Sequence, residues 1–222
     1  MKRLLRYSLL VVSALGMTQR LQAQAGGPTR PEPSLLTVCL VNDAGLTDDE
    51  VTKVEGGVDQ LFGGAGIAIR WIRGGDPGRT VEEKWACEHP ESWQRVMVRW
   101  MKSGLVTSPN ELAEAFLDGS GRGVITDVFL DKVERVKGER GVDFDMLLAH
   151  ITAHEIGHLL LGGEPHSMSG LMQAKVSEQS LTRMMQGNLS FSRAEQKKMH
   201  ARVATAEMSA LLARNQAEKW GK

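Results

Sequence analysis

Residues 143–172 read "DFDMLLAHITAHEIGHLLLGGEPHSMSGLM", and the first 21 of them decide how the rest of the chain is arranged. Asp143 and Asp145 open the stretch, apolar residues run through it, and Gly162-Gly163 stop it. That is the pattern of an α-helix with a negatively charged first turn and a glycine terminus. Apolar residues lie on every side of this helix, so it must be buried among other elements. Yet it carries His150, His154, Glu155 and His158. Buried polar groups without partners are costly, so these side chains need something to bind.

His154 and His158 stand at i and i+4, so they project from one face about 6 Å apart. Two imidazoles at that spacing can grip one Zn2+ at about 2.0–2.1 Å from each ring nitrogen. Glu155 follows the first of them, about 100° round the helix, where its carboxylate can take a proton from a water beside the metal. An HExxH pattern arises by chance, but a metal accounts for two imidazoles and a carboxylate in so apolar a setting. His150 shares the face, yet at 1.5 Å rise per residue it sits about 12 Å from His158, too far to share an ion. It is expected beside the site or in a structural role.

A third ligand must come from beyond the helix. Gly162 and Gly163 permit the positive φ that reverses the chain, and Pro165 stiffens the return, which can bring His166 back to the metal. The rivals are Glu164, in the turn itself, and Glu178, 20 residues after His158 at a short helix. Three histidines with an open fourth position would be the catalytic pattern of zinc, not the structural one.

"HEIGHLLLGGEPHSMSGLM" resembles the metzincin motif HExxHxxGxxH followed by a methionine turn, and its "HS…LM" tail is similar to that of matrixins. It is more specifically similar to a group of exported bacterial proteins whose motif runs HEIGHLLLG, three residues, HS and then a methionine. The resemblance covers residues 150–172. It implies His154, His158 and His166 as zinc ligands, Glu155 as general base and Met172 as the turn methionine beneath the metal. It also favours His166, directly after the glycine stop, over Glu178. His166 follows His158 by eight residues where the usual motif has six, and Met172 follows His166 by only six. Packing alone is the plainer role for Met172, compatible with the other. Some metzincins set a tyrosine near the turn; the only tyrosine here is Tyr7, so zinc is expected to carry most of the oxyanion's charge.

Upstream of the motif, "LLTVCLV" (35–41) is apolar and β-branched and ends at "NDAG", as a buried strand does. Thr47 and Glu50 form a capping box for a helix carrying Val51, Val54, Val58, Leu61 and Phe62. "IAIRWIR" (67–73) is a second strand, and a strand-helix-strand order this short predicts a parallel crossover. Residues 80–105, with Trp85, Trp93, Val96, Met97, Trp100 and Met101, are expected to form an amphipathic helix covering the sheet. Ser108-Pro109-Asn110-Glu111 is expected to open a short helix that ends at "DGSGRG". "VITDVFLD" (124–131) reads as a third strand, and "DKVERVKGER" as a solvated turn.

The chain of 222 residues begins "MKRLLR", continues "SLLVVSALGM" and reaches "LQAQA", the order of an export signal cleaved after Ala25. The apolar run is about half the roughly 20 residues a membrane span needs, so no permanent anchor is expected. Removal of residues 1–25 takes four of the 27 basic groups and none of the 27 acidic ones, which leaves a net charge near −4. Nothing in that balance attracts nucleic acid. Cys39 and Cys87 are the only cysteines and, in an exported protein, can form a disulfide; the alternative is two buried thiols. The leader between Ala25 and Leu35 has no cysteine, so latency through a cysteine on the metal is not expected.

The expected protein is therefore a secreted or periplasmic monomer. A signal occupies 1–25, a leader 26–34, and a single α/β (α+β) domain 35–222, with a mixed twisted sheet packed on helices. The resemblance implies a zinc metallopeptidase acting on peptide or protein substrates. Two alternatives stand beside it: a non-catalytic zinc-binding interaction module, against which Glu155 argues, and a zinc hydrolase of a small amide.

Overall fold

A computed structural model describes residues 33–89, 94–104 and 111–220, so the expected signal and most of the leader lie outside the described residues. β1 (Ser34–Asn42), α1 (Asp48–Gly63) and β2 (Ile67–Arg73) make the strand-helix-strand unit, with β2 parallel to β1. The capping box forms: the Thr47 hydroxyl accepts from the Glu50 amide, and the Thr47 amide donates to the Glu50 carboxylate at 2.8 Å. Among the described residues the sheet has five strands in the order β2-β1-β3-β5-β4, with β3 at Arg95–Met101, β4 at Ala113–Leu117 and β5 at Gly123–Phe129. β1, β2, β3 and β5 are mutually parallel, and β4 pairs antiparallel with β5 at one edge. This is the mixed α/β architecture expected.

Three local expectations are corrected. Residues 80–105 are not one helix but α2 (Val81–Glu88) followed by β3. Val96, Val98 and Trp100 are fully buried while their neighbours are half-exposed, so "RVMVRWM" follows a period of two. Met97 and Met101 put apolar groups on the strand's other face as well, which made the spacing look helical. Trp93 lies outside the described residues, and Trp85 is exposed, with the Arg95 guanidinium 4.7 Å over its ring. Next, the helix expected from Ser108 does not form where its body should be. Residues 105–110 lie outside the described residues, and "AEAFL" is β4, because pairing with β5 overrides the helical preference of alanine and glutamate. Finally, "DKVERVKGER" is not a turn: α3 (Leu130–Arg140) forms, buries Leu130 and Val133 on one side, and ends at Gly141 with φ 66°.

α4 (Phe144–Leu161) is the motif helix, and Asp143 caps it by accepting the Met146 amide at 2.8 Å. α5 (Glu178–Met185) and α6 (Arg193–Trp220) follow it. Sheet side chains Leu36, Val38, Val98 and Trp100 share one core with Val54 and Phe62 of α1 and with Leu148 and Ile156 of α4. The Trp100 indole donates to the Thr152 hydroxyl at 3.1 Å, which satisfies a buried donor and joins sheet to motif helix. Met199 and Val203 of α6 close the far side. α4 is therefore covered on most sides, as its composition requires, and stays open along the face that carries His150, His154 and His158.

A Cβ at Gly123 would meet the Phe116 carbonyl at 2.3 Å and Leu159 at 2.9 Å. Gly123→Ala must therefore push β4 off β5 or β5 off α4. Overpacking of this kind costs about 1–3 kcal/mol, read as a lower denaturant midpoint. An unchanged midpoint would mean that β4 does not hold this register.

On the opposite face of the sheet, α2 is joined to β1 by the Cys39–Cys87 disulfide, and Ile72 packs against the pair. The bridge spans 48 residues, and closing a loop of that length in the unfolded chain is worth about 4 kcal/mol in the chain-entropy model. Protein from an oxidising compartment should weigh about two hydrogens less than the dithiol, one per thiol, and Cys87→Ser should unfold earlier. Two alkylatable thiols in the native protein would contradict both. Among the described residues, no helix is long and apolar enough to cross a membrane.

Candidate metal centre

α4 presents His154 and His158 on one face, their Nε2 atoms 3.0 Å apart, and the His166 Nε2 lies 3.1 Å from that of His158. A tetrahedral ion with metal–nitrogen bonds of about 2.0–2.1 Å needs edges of about 3.3 Å, close to what these nitrogens offer. His154 Nδ1 donates to the Leu171 carbonyl at 2.7 Å, which leaves the Nε2 lone pair turned inward. Burial, then the nearby His154 and His166, pushes His158 down to about 3, and burial lowers His154 despite its bond to Leu171. His154 and His158 thus resist protons, and the three imidazoles together can offer three lone pairs to a cation. These residues fit a zinc ion.

The glycine reversal explains why His166 arrives. Gly162 and Gly163 have φ of 63° and 36°, and a Cβ on Gly162 would stand 2.5 Å from the Gly121 carbonyl. Only glycine allows that turn to pass so close to the β4–β5 connection. Neither rival reaches the cluster: Glu164 is ion-paired with Lys198, and Glu178, the first residue of α5, with Arg140. His150 bonds through Nδ1 to the Met146 carbonyl at 2.8 Å and stays outside the cluster.

Glu155 is 8% exposed, and burial followed by the charge of Glu114 pushes its carboxyl up to about 8. A cation held by the adjacent imidazoles would favour its ionised form. Met172 is buried, and a Cβ on Gly157 would meet its sulfur at 2.6 Å and Phe191 at 3.0 Å. Gly157, inside the HExxH segment, leaves the helix bare where the thioether packs. The Ser167 amide donates to the Met172 carbonyl at 2.8 Å, closing the six-residue turn, and the Leu171 amide donates to the Ser190 carbonyl at 2.9 Å.

A cleft of about 980 Å³ opens in front of the imidazoles, with Ala113, Glu114 and Ala115 of β4 on one wall and Ile151 and Glu155 of α4 at its floor. A cleft between the sheet edge and the motif helix is what the sequence leads one to expect, but not that "AEAFL" is the strand at that edge. Two further contacts are not legible in the sequence: that of the Leu171 carbonyl with His154, which no side-chain pattern can reveal, and that of Ser167 with Glu195, though Ser192 and Glu195 are spaced as a capping box.

No known protein family matches the chain, and no curated protein sequence does either. Solved structures resemble it distantly. Archaemetzincin from Methanopyrus kandleri is 15% identical with a TM-score of 0.47, over 78% of this chain and 98% of that one. A zinc-dependent peptidase from Methanocorpusculum labreanum is 13% identical with a TM-score of 0.47, over 73% and 99%. Metalloproteinase-II from Bacteroides fragilis is 16% identical with a TM-score of 0.44, over 78% and 55%. Similarity at this level assigns nothing by itself, and the chemistry of the site rests on its own side chains.

Proposed function

We propose that the chain is an exported, zinc-dependent endopeptidase of metzincin type, with His154, His158 and His166 as ligands and Glu155 as general base. The observation that carries this is the convergence of three Nε2 atoms beside a buried glutamate at the floor of an open cleft. Zinc bound there would supply a Lewis acid that polarises the scissile carbonyl and makes a neighbouring water acidic near neutral pH.

The chain's own residues do the rest. Glu155 accepts the proton of the attacking water and returns it to the leaving amine. Its apolar surroundings keep bulk water from competing for that proton. β4 is the terminal strand of the sheet, so an extended peptide can add beside it and lay a carbonyl across the imidazoles. Met172 fills the space under the ligands and holds the helix against the turn that carries His166.

The test is cleavage of an unfolded protein with and without a chelator. Cleavage that stops on chelation and returns with Zn2+ is the expected result. An intact substrate, with zinc measured on the protein, would replace this function with that of a binding module. Export after cleavage at Ala25 is tested by N-terminal sequencing of the protein recovered outside the cytoplasm, which should begin at Gly26.

A further inference from the structure

Ser192 and Glu195 open α6 as a capping box. The Glu195 amide donates to the Ser192 hydroxyl at 3.3 Å, and the Ser192 amide donates to Glu195 Oε2 at 2.6 Å. A carboxylate in this position needs only one oxygen for the box and ordinarily faces water. Glu195 is only 7% exposed, and its second oxygen, Oε1, accepts the hydroxyl of Ser167, the residue directly after His166. One turn further along α6, Lys198 pairs with Glu164, two residues before His166. The first turns of α6 thus grip the chain on both sides of the third imidazole. The other tie of this loop, the Leu171 amide to Ser190, ends just before the same helix.

The loop needs such ties. Unlike His154 and His158, which a buried helix holds rigid, His166 is exposed and follows two glycines with positive φ. A buried carboxylate that spends both oxygens on fixed donors is rigid, and a hydroxyl bonded to a charged acceptor is held more firmly than one bonded to a neutral group.

We propose that Glu195 is a positioning residue for the third metal ligand: through the Ser167 hydroxyl it fixes where His166 presents its nitrogen. The proposal rests on the zinc site put forward above. Partners bonded to a ligand's own ring typically set metal affinity by about 10–100-fold, and a tie one residue removed from the ring is expected at the lower end, about 10-fold.

Zinc affinity measured by competition with a chelator on the full chain provides the test, together with the visible absorption of the Co2+-substituted protein, which reports ligand geometry. Ser167→Ala removes the donor without touching the helix cap, and its zinc dissociation constant should rise about 10-fold with an altered Co2+ spectrum. Ser167→Thr keeps a hydroxyl and should restore both; Ser167→Val, of the same shape without it, should not. Glu195→Gln can still complete a capping box, but its amide nitrogen can only donate to the Ser167 oxygen, a neutral bond in place of a charge-assisted one, so it should fold and bind zinc with an affinity between those of wild type and Ser167→Ala. Wild-type affinity and spectrum in both Ser167→Ala and Glu195→Gln would overturn the positioning role, as would equal behaviour of Thr and Val at 167. If wild type bound no zinc at all, the metal site itself would fall, a result distinct from either.

Discussion

Glu155→Gln is expected to keep one zinc per chain and the wild-type fold while hydrolysis of an unfolded protein falls by about 10²–10⁴-fold, the usual cost of losing a general base. Glu155 follows His154 in sequence but is not among the three side chains that converge, so glutamine leaves those three nitrogens in place. The side chain is 8% exposed, and glutamine fills the same volume without a charge to desolvate. Stability should therefore hold or rise slightly. Zinc content and turnover have to be measured on one preparation. A variant that cleaves like wild type would assign the hydrolysis to another group or to a contaminant. A variant that loses zinc together with activity would make Glu155 part of the site's framework.

The second large effect is on metal content. His154→Ala and His158→Ala should abolish zinc binding, because either change leaves one helical imidazole and one imidazole on a loop. His166→Ala should weaken it strongly, beyond the roughly 10–100-fold that loss of an outer hydrogen bond brings. Glu178→Ala should leave it unchanged, since that carboxylate is paired with Arg140 and lies outside the cluster. Equilibrium dialysis of the four variants against the same zinc buffer separates these outcomes. Full zinc in His166→Ala with loss in Glu178→Ala would exchange the third ligand for the glutamate.

The two predictions draw on different levels of the molecule. Glu155, His154 and His158 sit within five residues of one another on a helix, and their relation follows from helical geometry alone. His166 against Glu178 is a choice among loop conformations. It depends on how Gly162 and Gly163 pass the Gly121 carbonyl, a contact with a segment some 40 residues earlier in the chain.

The same division runs through the fold. Residues 34–73 were legible because the Thr47–Glu50 box, the helical valines and the glycine stops are local signals, each complete within a few residues. β3 was not, because Val96, Val98 and Trp100 line one face while Met97 and Met101 line the other, so apolar spacing could not separate a period of two from one of 3.6. β4 was hidden for a different reason: in "AEAFL" only Phe116 favours a strand, and the stretch becomes one by pairing with β5.

By itself the sequence determined the motif helix, its burial, two imidazoles one turn apart with a carboxylate beside them, and a chain reversal straight after, since these rest on composition and on spacing within a turn or two. Tertiary structure alone decided that His166 closes the cluster, that Met172 packs where Gly157 leaves room, that β4 walls the cleft, and that Glu195 reaches Ser167. Each of those joins elements distant in sequence. Such contacts are set by which surfaces must be buried together and by where the loops between them can close, and no local pattern encodes that.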